Sequence, residues 1–378
     1  MPPSDPSSEE PIYVTRPHLP PLAEVTKLLE GVWERRILTN GGPLHQQLEH
    51  ELAGYLGVEH ISLFANGTLA LLVALKALRL RGEVITTPFS FVATSEALSW
   101  NGLEPVFADI QEGSYGLDPA SIEACITPRT TAILPVHCYG FPCDVEAIQR
   151  IADDYNLKVV YDAAHAFGVE CHCGSLLQHG DLSVLSFHAT KVFNTFEGGA
   201  IICPDAKTKK RIDRLKNFGF VDELTVAANG INAKISELHA AVGLAQLPGI
   251  DGAIRERKRV AHLYLNELEG VQGLVLPEFN QAVRPNYAYM PVRVTPEAAV
   301  NREALVEQLR REGVMPRRYF HPLIPEFQYY RSNASADPAR YPVATRASAE
   351  VLCLPIYPEL SDENVHRVSA LIRNILYP

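Results

Sequence analysis

The chain has 378 residues, a length that fits one large domain with a smaller one, or two domains of intermediate size. Apolar residues make up 47 % and charged residues 21 %, the balance of an ordinary globular protein, so wholesale disorder is excluded. The net charge of −10 argues against a broad surface for nucleic acid or anionic membranes, but it permits a local basic pocket for a small anion.

Residues 1–11 open the chain with four prolines, three serines and three acidic residues, a composition that predicts a mobile N-terminal arm. The arm lacks the basic start and the apolar stretch of a secretory signal. No run of about 18 uncharged apolar residues occurs, so no membrane-spanning helix is predicted. Apolar residues at helical spacing predict a helix from Leu22 and a second one that ends at Gly57.

From residue 60 onwards, short apolar strands alternate with helices. The predicted strands span 60–64, 84–87, 105–110, 131–136, 158–162, 182–187 and 200–203. This alternation predicts an α/β fold whose large domain is a mainly parallel seven-stranded sheet sandwiched by helices. Ligands of such sheets bind beyond the carboxyl ends of the strands, so candidate site residues are sought there.

Past residue 250, a long charged helix is followed by mixed elements. These elements are predicted near 250–268, 288–294, 302–312, 314–319 and 352–356, with a last helix from Ser361. They predict a smaller α+β C-terminal domain. The predicted organisation is an arm, a large domain whose first segment packs on the small domain, and the small domain, at 1–11, 12–250 and 251–378.

Three strand ends carry polar groups. Asn66-Gly67-Thr68 follows a strand and begins a helix, where backbone N–H groups can bind a phosphate. Asp162 ends an apolar strand, where a carboxylate must meet a cation, accept several hydrogen bonds or shift its pKa. Lys191 follows another strand, where a desolvated amine of lowered pKa can form a Schiff base.

Each of these features also has a simpler interpretation. Asn66 or Thr68 can cap the helix, Asp162 can cap the next turn, and Lys191 can be a solvated charge. Together, however, they supply a phosphate cradle, a buried carboxylate and an imine-forming lysine, which is the set that pyridoxal phosphate requires. Phe89 is predicted to stack on the cofactor ring, with an ordinary core phenylalanine as the alternative.

The ordered motifs resemble those of the DegT/StrS sugar aminotransferases, which have the type I fold of aspartate aminotransferase. The resemblance runs from about Tyr13 to the C-terminus. It rests on Thr39-Asn40-Gly41-Gly42-Pro43, Asn66-Gly67-Thr68, Pro88-Phe89-Ser90-Phe91-Val92-Ala93-Thr94, Asp162-Ala163-Ala164-His165-Ala166-Phe167-Gly168, Ser186 to Lys191 and Glu197-Gly198-Gly199.

By position, the resemblance implies Lys191 as the Schiff-base lysine and Asp162 as the partner of the pyridine nitrogen of pyridoxal phosphate. His165 is predicted to hydrogen-bond the phenolic oxygen of the cofactor, with simple packing as the alternative. The resemblance also implies a set of phosphate ligands: Gly67, Thr68, Ser186 and, from the neighbouring subunit, Asn232. The active unit is therefore predicted to be a homodimer with shared active sites.

Three departures from the commonest family pattern bear on the substrate. Tyr161 stands where an acid often precedes the aspartate, His165 replaces the usual Gln, and Ala233-Lys234 replaces an aromatic-Arg pair. The same variations resemble the branch that aminates carbon 4 of dTDP-4-keto-6-deoxyglucose, with glutamate as donor. Lysine at 191, where the deoxygenating branch has His, favours transamination over dehydration. A 3-aminotransferase of keto-deoxy sugars, an amino-sugar dehydratase and a catalytically idle regulatory homologue stay open as alternatives.

The substrate side is less clear in the sequence. The diphosphate of a sugar nucleotide needs cations, and a segment of the small domain resembles one that approaches the sugar in this family. Candidate substrate residues are Thr39, Asn40, Lys234, Arg317, Arg318, Tyr319 and His321. Solvated surface charges, a plain turn and a structural histidine are the simpler interpretations.

Cysteines give the last indications. Cys171-His172-Cys173, with His179 nearby, suggests zinc, but a second paired ligand motif is missing, so we predict no metal. The seven cysteines are few, odd in number and scattered, which favours a reducing cytoplasm. The predicted partners are a second copy of the chain, a nucleotide sugar and glutamate, with no nucleic acid and no membrane.

Overall fold

The computed structural model describes residues 10–172, 174–279 and 284–377. Its strands are β1 (Ile12–Tyr13), β2 (His60–Phe64), β3 (Glu83–Thr86), β4 (Glu104–Phe107), β5 (Thr130–Leu134), β6 (Lys158–Asp162), β7 (Glu170–Cys171), β8 (Gly174–Ser175), β9 (Leu182–Ser186), β10 (Gly199–Cys203), β11 (Leu274–Val275), β12 (Met290–Val294), β13 (Val314–Met315) and β14 (Val351–Leu354).

The α-helices include those predicted from Leu22, up to Gly57, over 250–268, over 302–312 and from Ser361, and one over 342–350 that was not predicted. They are α1 (Leu22–Arg35), α2 (Pro43–Leu56), α3 (Gly67–Ala77), α4 (Ala93–Trp100), α5 (Pro119–Ala124), α6 (Val145–Asp154), α7 (Ala206–Leu215), α8 (Glu237–Gln246), α9 (Ile250–Leu268), α10 (Arg302–Arg311), α11 (Pro342–Glu350) and α12 (Asp362–Leu376). α2 has residues that typically begin and end a helix, because Pro43 is its first residue and Gly57 caps its end in the left-handed conformation.

The large lobe is built on a seven-stranded sheet with the strand order β2-β10-β9-β6-β5-β3-β4. β10 is antiparallel to both of its neighbours, and the other pairs are parallel. The predicted mainly parallel sheet is therefore confirmed. Because β10 alone is reversed within this sheet, its first residue lies at the edge where the other six strands have their carboxyl ends.

Both faces of the sheet are buried, which explains the uninterrupted apolar runs of the strands. Neighbouring residues point to opposite faces, so Val84 and Val160 join one apolar cluster while Ile85 and Val159 join the other. α3 packs against β9 and β10 and is apolar nearly all round.

The small lobe has an antiparallel sheet of β11, β12 and β14, against which α10, α11 and α12 pack directly or through one another. The N-terminal segment contacts this lobe, because β1 pairs with β13 and the Ile356 N–H donates to the Val14 carbonyl at 3.0 Å. The domain boundary near residue 250 stays a prediction, since one apolar cluster runs through both lobes.

Some predicted ends differ from the observed ones. The strand predicted over 131–136 ends at Leu134, because Pro135 has no N–H to donate. The strand predicted over 314–319 is reduced to β13, and the short β7–β8 hairpin was not predicted. Residues 1–9 of the predicted arm lie outside the described residues. Among the described helices, none has the length and apolar character needed to cross a bilayer.

Candidate active site

The carboxyl edge of the large sheet brings the predicted phosphate residues together. Ser186 ends β9 and pairs with Gly199 of β10, which in turn pairs with Phe64 at the end of β2. Gly67 begins α3 three positions after the end of β2, and a Cβ added to it would lie 3.0 Å from the Cβ of Ser186. The strand order therefore brings the start of α3 and the Ser186 hydroxyl to one spot.

The start of α3 has the features of an anion site. Asn66 is the helix cap, since its side-chain oxygen accepts from the Leu69 N–H at 2.9 Å, so the simpler interpretation of this residue is correct. The first N–H groups of α3 and the hydroxyls of Thr68 and Ser186 can still donate to a phosphate, which the positive end of the helix dipole also favours. Thr68 is exposed. This donor set fits the phosphate of pyridoxal phosphate.

Gly199 makes the cradle possible from the opposite strand. A Cβ at this position would lie 2.8 Å from both the Asn66 carbonyl carbon and the Gly67 nitrogen, closer than real Cβ atoms come to backbone. Only glycine lets β10 approach the turn into α3 so closely. Gly199 is therefore a residue of the cradle whose role sequence reasoning did not assign.

Asp162 is buried at the end of β6 with two hydrogen bonds. One carboxylate oxygen accepts from the Thr94 hydroxyl at 2.8 Å and the other from the Ala164 N–H at 3.1 Å. Burial raises the pKa of this carboxyl, and the hydrogen bond from Thr94 is the largest opposing effect. A buried carboxylate held by neutral donors is suited to the protonated nitrogen of a pyridine ring. Thr94 belongs to a motif read in the sequence, but its contact with Asp162 was not predicted.

Lys191 follows β9 and is close enough to Asp162 for the two charges to influence each other. Burial lowers the pKa of the Lys191 amine to about 8, and the Asp162 carboxylate is the largest effect in the opposite direction. The Nζ atom donates to the Tyr289 hydroxyl at 3.2 Å. An amine of lowered pKa is partly neutral near neutral pH, which suits a nucleophile and a proton carrier.

His165 has a defined tautomer. Its Nδ1 atom lies 3.1 Å from the backbone nitrogen of Tyr139 and accepts that N–H, so the ring proton is on Nε2. Burial holds the pKa of His165 well below its usual range, and the ring is therefore neutral. The ring lines the same small cavity as Lys191 and Tyr289, so it lies beside the predicted Schiff-base lysine, and its hydrogen bond to the cofactor stays a prediction.

Phe89 needs a correction. Its side chain is 0 % exposed and lies in an aromatic cluster, with the Tyr115 ring stacked at 5.6 Å and the Phe320 ring edge-on at 5.8 Å. No surface of the Phe89 ring is open to a cofactor, so the core interpretation is the right one. Phe91 is 61 % exposed, and its carbonyl accepts from the Thr94 N–H at 3.2 Å. Phe91, on the turn that positions Thr94 under Asp162, is the better stacking candidate.

The predicted substrate residues do not form one group. Tyr319 lies nearest to the site, because its ring packs edge-on against Tyr289 at 5.9 Å. Thr39 and Asn40 are exposed in the loop before α2, and His321 lies against Ser348 with Nδ1 3.2 Å from the hydroxyl.

The candidate cations differ in the hydrogen bonds and ion pairs that they already make within the chain. Lys234 donates to the side-chain oxygens of Asn217 and Asn232, both at 2.8 Å. Arg318 pairs with Glu303, whereas Arg317 is exposed. Lys234 thus lies next to Asn232, and Arg318 is the weakest candidate for a substrate diphosphate.

Around Cys171, the described residues do not form a set of zinc ligands. Cys171 Sγ lies 3.3 Å from His179 Nε2, and Cys173 lies outside the described residues. Among residues 10–172, 174–279 and 284–377, no group of three His, Cys, Asp or Glu side chains could hold a metal ion.

The approach of β10 to α3 gives a first prediction. Gly199→Ala should weaken binding of pyridoxal phosphate about tenfold, because the new methyl group pushes the start of α3 away from Ser186. The dissociation constant is measured by absorbance titration. The control is Gly249→Ala, where a Cβ would meet nothing within 4 Å. Equal affinity in both variants would contradict the cradle described above.

The Asp162 contacts give a second prediction. Asp162→Asn should keep the fold but lower kcat about 10²–10³-fold, since an amide cannot stabilise a protonated pyridine nitrogen. Steady-state kinetics at saturating cofactor measure the loss, and thermal unfolding checks the fold. A variant with near-normal turnover would exclude this role of the carboxylate.

Comparison with known proteins agrees with this geometry. A dTDP-4-amino-4,6-dideoxy-D-glucose transaminase of Escherichia coli is 51 % identical over 366 residues, which cover 97 % of this chain and 99 % of that protein. An enzyme of the same name from Shigella dysenteriae is 50 % identical over 369 residues, which cover 97 % of this chain and 100 % of that protein.

A solved structure of DesI in the presence of its TDP-sugar product has a TM-score of 0.93 at 36 % identity, covering 97 % of this chain and 93 % of that chain. A sequence model of the DegT/DnrJ/EryC1/StrS aminotransferase family matches residues 22–373. The predicted family and its cofactor are thereby confirmed. The chain belongs to the DegT/DnrJ/EryC1/StrS aminotransferase family, which depends on pyridoxal phosphate.

Proposed function

We propose that this chain transfers an amino group from L-glutamate to carbon 4 of dTDP-4-keto-6-deoxy-D-glucose, giving the dTDP-4-amino-4,6-dideoxy sugar. The observation that carries the proposal is the convergence of Lys191, Asp162 and the Gly67–Ser186 cradle at one sheet edge. The carbon-4 specificity is supported by the 51 % identity to a transaminase named for that amino sugar.

Pyridoxal phosphate, when bound, supplies an electron-accepting ring that stabilises negative charge on the carbon atom that loses a proton. Gly67, Thr68 and Ser186 would hold its phosphate. Asp162 would keep the proton on the pyridine nitrogen, and His165 would donate Nε2–H to the phenolic oxygen. Phe91, rather than Phe89, would cover the ring.

Lys191 has two tasks in the proposed reaction. Its amine would hold the aldehyde of the cofactor, and the free amine would take the proton from the α-carbon of glutamate and pass it to the cofactor. Burial favours the neutral amine that this base needs, because the pKa of Lys191 is lowered to about 8. The same amine returns a proton when the keto sugar is converted, so one group serves both halves of the transfer.

On the substrate side, we propose that Tyr319, Thr39 and Asn40 contact the sugar and that Lys234 binds the diphosphate. Tyr319 has the strongest support, since its ring packs against Tyr289 beside the Lys191 amine. His321 is a weaker candidate, because its ring lies against Ser348 and lines a different cavity.

We also propose that the active unit is a homodimer with shared active sites. Apolar side chains on the 218–231 segment are unusually exposed: Phe218 47 %, Phe220 39 %, Leu224 96 % and Ile231 40 %. This segment leads directly into Asn232, whose side-chain oxygen is bonded to Lys234 and whose amide nitrogen can donate to a phosphate. A second copy covering the segment would bring Asn232 to a neighbouring cradle.

The proposed location is the cytoplasm. The free thiols of Cys125, Cys138 and Cys203 suit this location.

The substrate assignment gives a third prediction. The enzyme with glutamate and a panel of nucleotide-linked keto sugars should turn over dTDP-4-keto-6-deoxyglucose fastest, and NMR should show the new amine on carbon 4. Lys191→Ala is the negative control, since it lacks the amine that binds the cofactor and carries the proton. An amine on carbon 3 would support the 3-aminotransferase, and loss of a hydroxyl would support the dehydratase. No turnover with any sugar would support the idle homologue.

The shared site gives a fourth prediction. A mixed dimer of Lys191→Ala and Asn232→Ala subunits should regain about half of the wild-type activity, because one of its two sites then contains neither change. Activity of the purified mixed dimer, made with two affinity tags, measures this. The matched control joins Lys191→Ala with Asp162→Asn subunits. This dimer should not regain activity, because Asp162 and Lys191 act in the site of their own chain and each of the two sites then carries one change. Restoration in the control alone, or in neither dimer, would contradict the shared site.

A further inference from the structure

Tyr289 is a residue to which the motifs assigned no role, yet its hydroxyl contacts the Lys191 amine. Lys191 Nζ donates to the Tyr289 Oη atom at 3.2 Å and lies 5.8 Å from the centre of the tyrosine ring. The two residues are 98 positions apart in the sequence, and they come from different lobes. The contact is therefore a product of the fold, and its geometry is that of a hydrogen bond.

The segment that carries Tyr289 is held firmly. Asn286 is 2 % exposed, and its side chain donates to the His165 carbonyl at 2.8 Å and to the Phe167 carbonyl at 3.0 Å. The buried Arg257 donates to the Ala288 carbonyl at 3.4 Å, on the residue directly before Tyr289. The Asn286 bonds tie the chain before β12 to the loop after Asp162, and the Arg257 bond ties it to α9. The hydroxyl of Tyr289 is therefore fixed relative to the carboxyl edge of the large sheet.

The surroundings leave the Lys191 amine few other polar partners. The Tyr289 ring packs against the rings of His165 at 4.7 Å and Tyr139 at 5.6 Å. The cavity lined by Lys191, His165 and Tyr289 has a volume of about 10 Å³, which is room for one water molecule at most. Lys191 is half-buried, so the Tyr289 hydroxyl is a partner that the protein itself supplies to an amine with little room for water around it.

A phenol is suited to both protonation states of an amine. Burial raises the pKa of Tyr289, so its hydroxyl stays neutral. Its oxygen can accept from an ammonium group, and its O–H can donate to a neutral amine. The pKa of Lys191 is lowered to about 8 by burial, against the opposing effects of Asp162, Tyr319 and Cys138, so both amine states occur near neutral pH.

We propose that Tyr289 is the positioning residue that holds the Lys191 amine whenever that amine is not bonded to the cofactor. The hydroxyl keeps Nζ beside the site and limits its rotation while the amine carries a proton. This inference rests on the role of Lys191 given under the proposed function. In this role Tyr289 acts through Lys191.

The test compares Tyr289→Phe with the wild type and with Tyr287→Phe. The Phe side chain keeps the ring packing and removes only the hydroxyl. Tyr287 is the matched control, because it lies in the same segment but packs on Phe279, with ring centres 4.8 Å apart, away from Lys191. Each protein is loaded with pyridoxamine phosphate, the amine form of the cofactor, so that the Lys191 amine is free. Thermal unfolding verifies that all three proteins are folded.

The first readout is the pH dependence of Lys191 labelling by an amine-reactive reagent, followed by peptide mass spectrometry. The midpoint should fall by about one pH unit in Tyr289→Phe. The hydroxyl stabilises the ammonium form as an acceptor more than it stabilises the neutral amine as a donor, so its removal favours the neutral form. The midpoint should be unchanged in Tyr287→Phe. An unchanged midpoint in Tyr289→Phe would overturn the inference.

The second readout is steady-state kinetics with the keto sugar. Tyr289→Phe should lower kcat about tenfold and leave KM within about twofold, since a positioning residue of the amine does not bind the substrate. Borohydride reduction of the wild-type enzyme loaded with pyridoxal phosphate keeps the two proposals apart. If the reduced cofactor were not attached to Lys191, the proposed function would fail. If it were attached but kcat of Tyr289→Phe stayed normal, only the role of Tyr289 would fail.

Discussion

The site depends on keeping a carboxylate and an amine together where water is scarce. Burial raises the pKa of Asp162 and lowers that of Lys191, and each charge partly offsets the cost of burying the other. The sheet brings the two segments together, since β6 and β9 are parallel neighbours in which Asp162 is opposite Val184, and Lys191 lies in the turn that follows β9. Two residues past Val184 the strand ends at Ser186, so the same backbone hydrogen bonds also fix the phosphate cradle.

Much of the large lobe could be predicted because its signals are local. Strands that are buried on both faces have short apolar sequences, and the residues that follow them carry the polar groups of the site. Asp162, Lys191 and Gly67 could therefore be named from the sequence. The reversal of β10 could not, since the direction of a strand depends on its neighbours in the sheet. For that reason the close approach at Gly199 emerges only from the structure.

The aromatic residue over the ring shows where local reasoning fails. Phe89 and Phe91 are two positions apart in one motif and have the same chemistry. Which of them is buried depends on Tyr115 and Phe320, which come from distant parts of the chain. Tyr289 is a similar case, because nothing near it in the sequence indicates a contact with Lys191. Contacts between lobes are set by tertiary packing, which a single sequence does not encode in any short pattern.

The Asn286 side chain also restricts how the two lobes can move relative to each other. It joins the small lobe to the His165 and Phe167 carbonyls through buried hydrogen bonds, each of which costs about 1 kcal/mol or more to leave unmade. Swinging the two lobes apart as rigid bodies would break these bonds and carry Tyr289 away from Lys191. The same two hydrogen bonds that position Tyr289 therefore also oppose a hinge motion between the lobes, so the geometry around the Lys191 amine is tied to the way the lobes are joined.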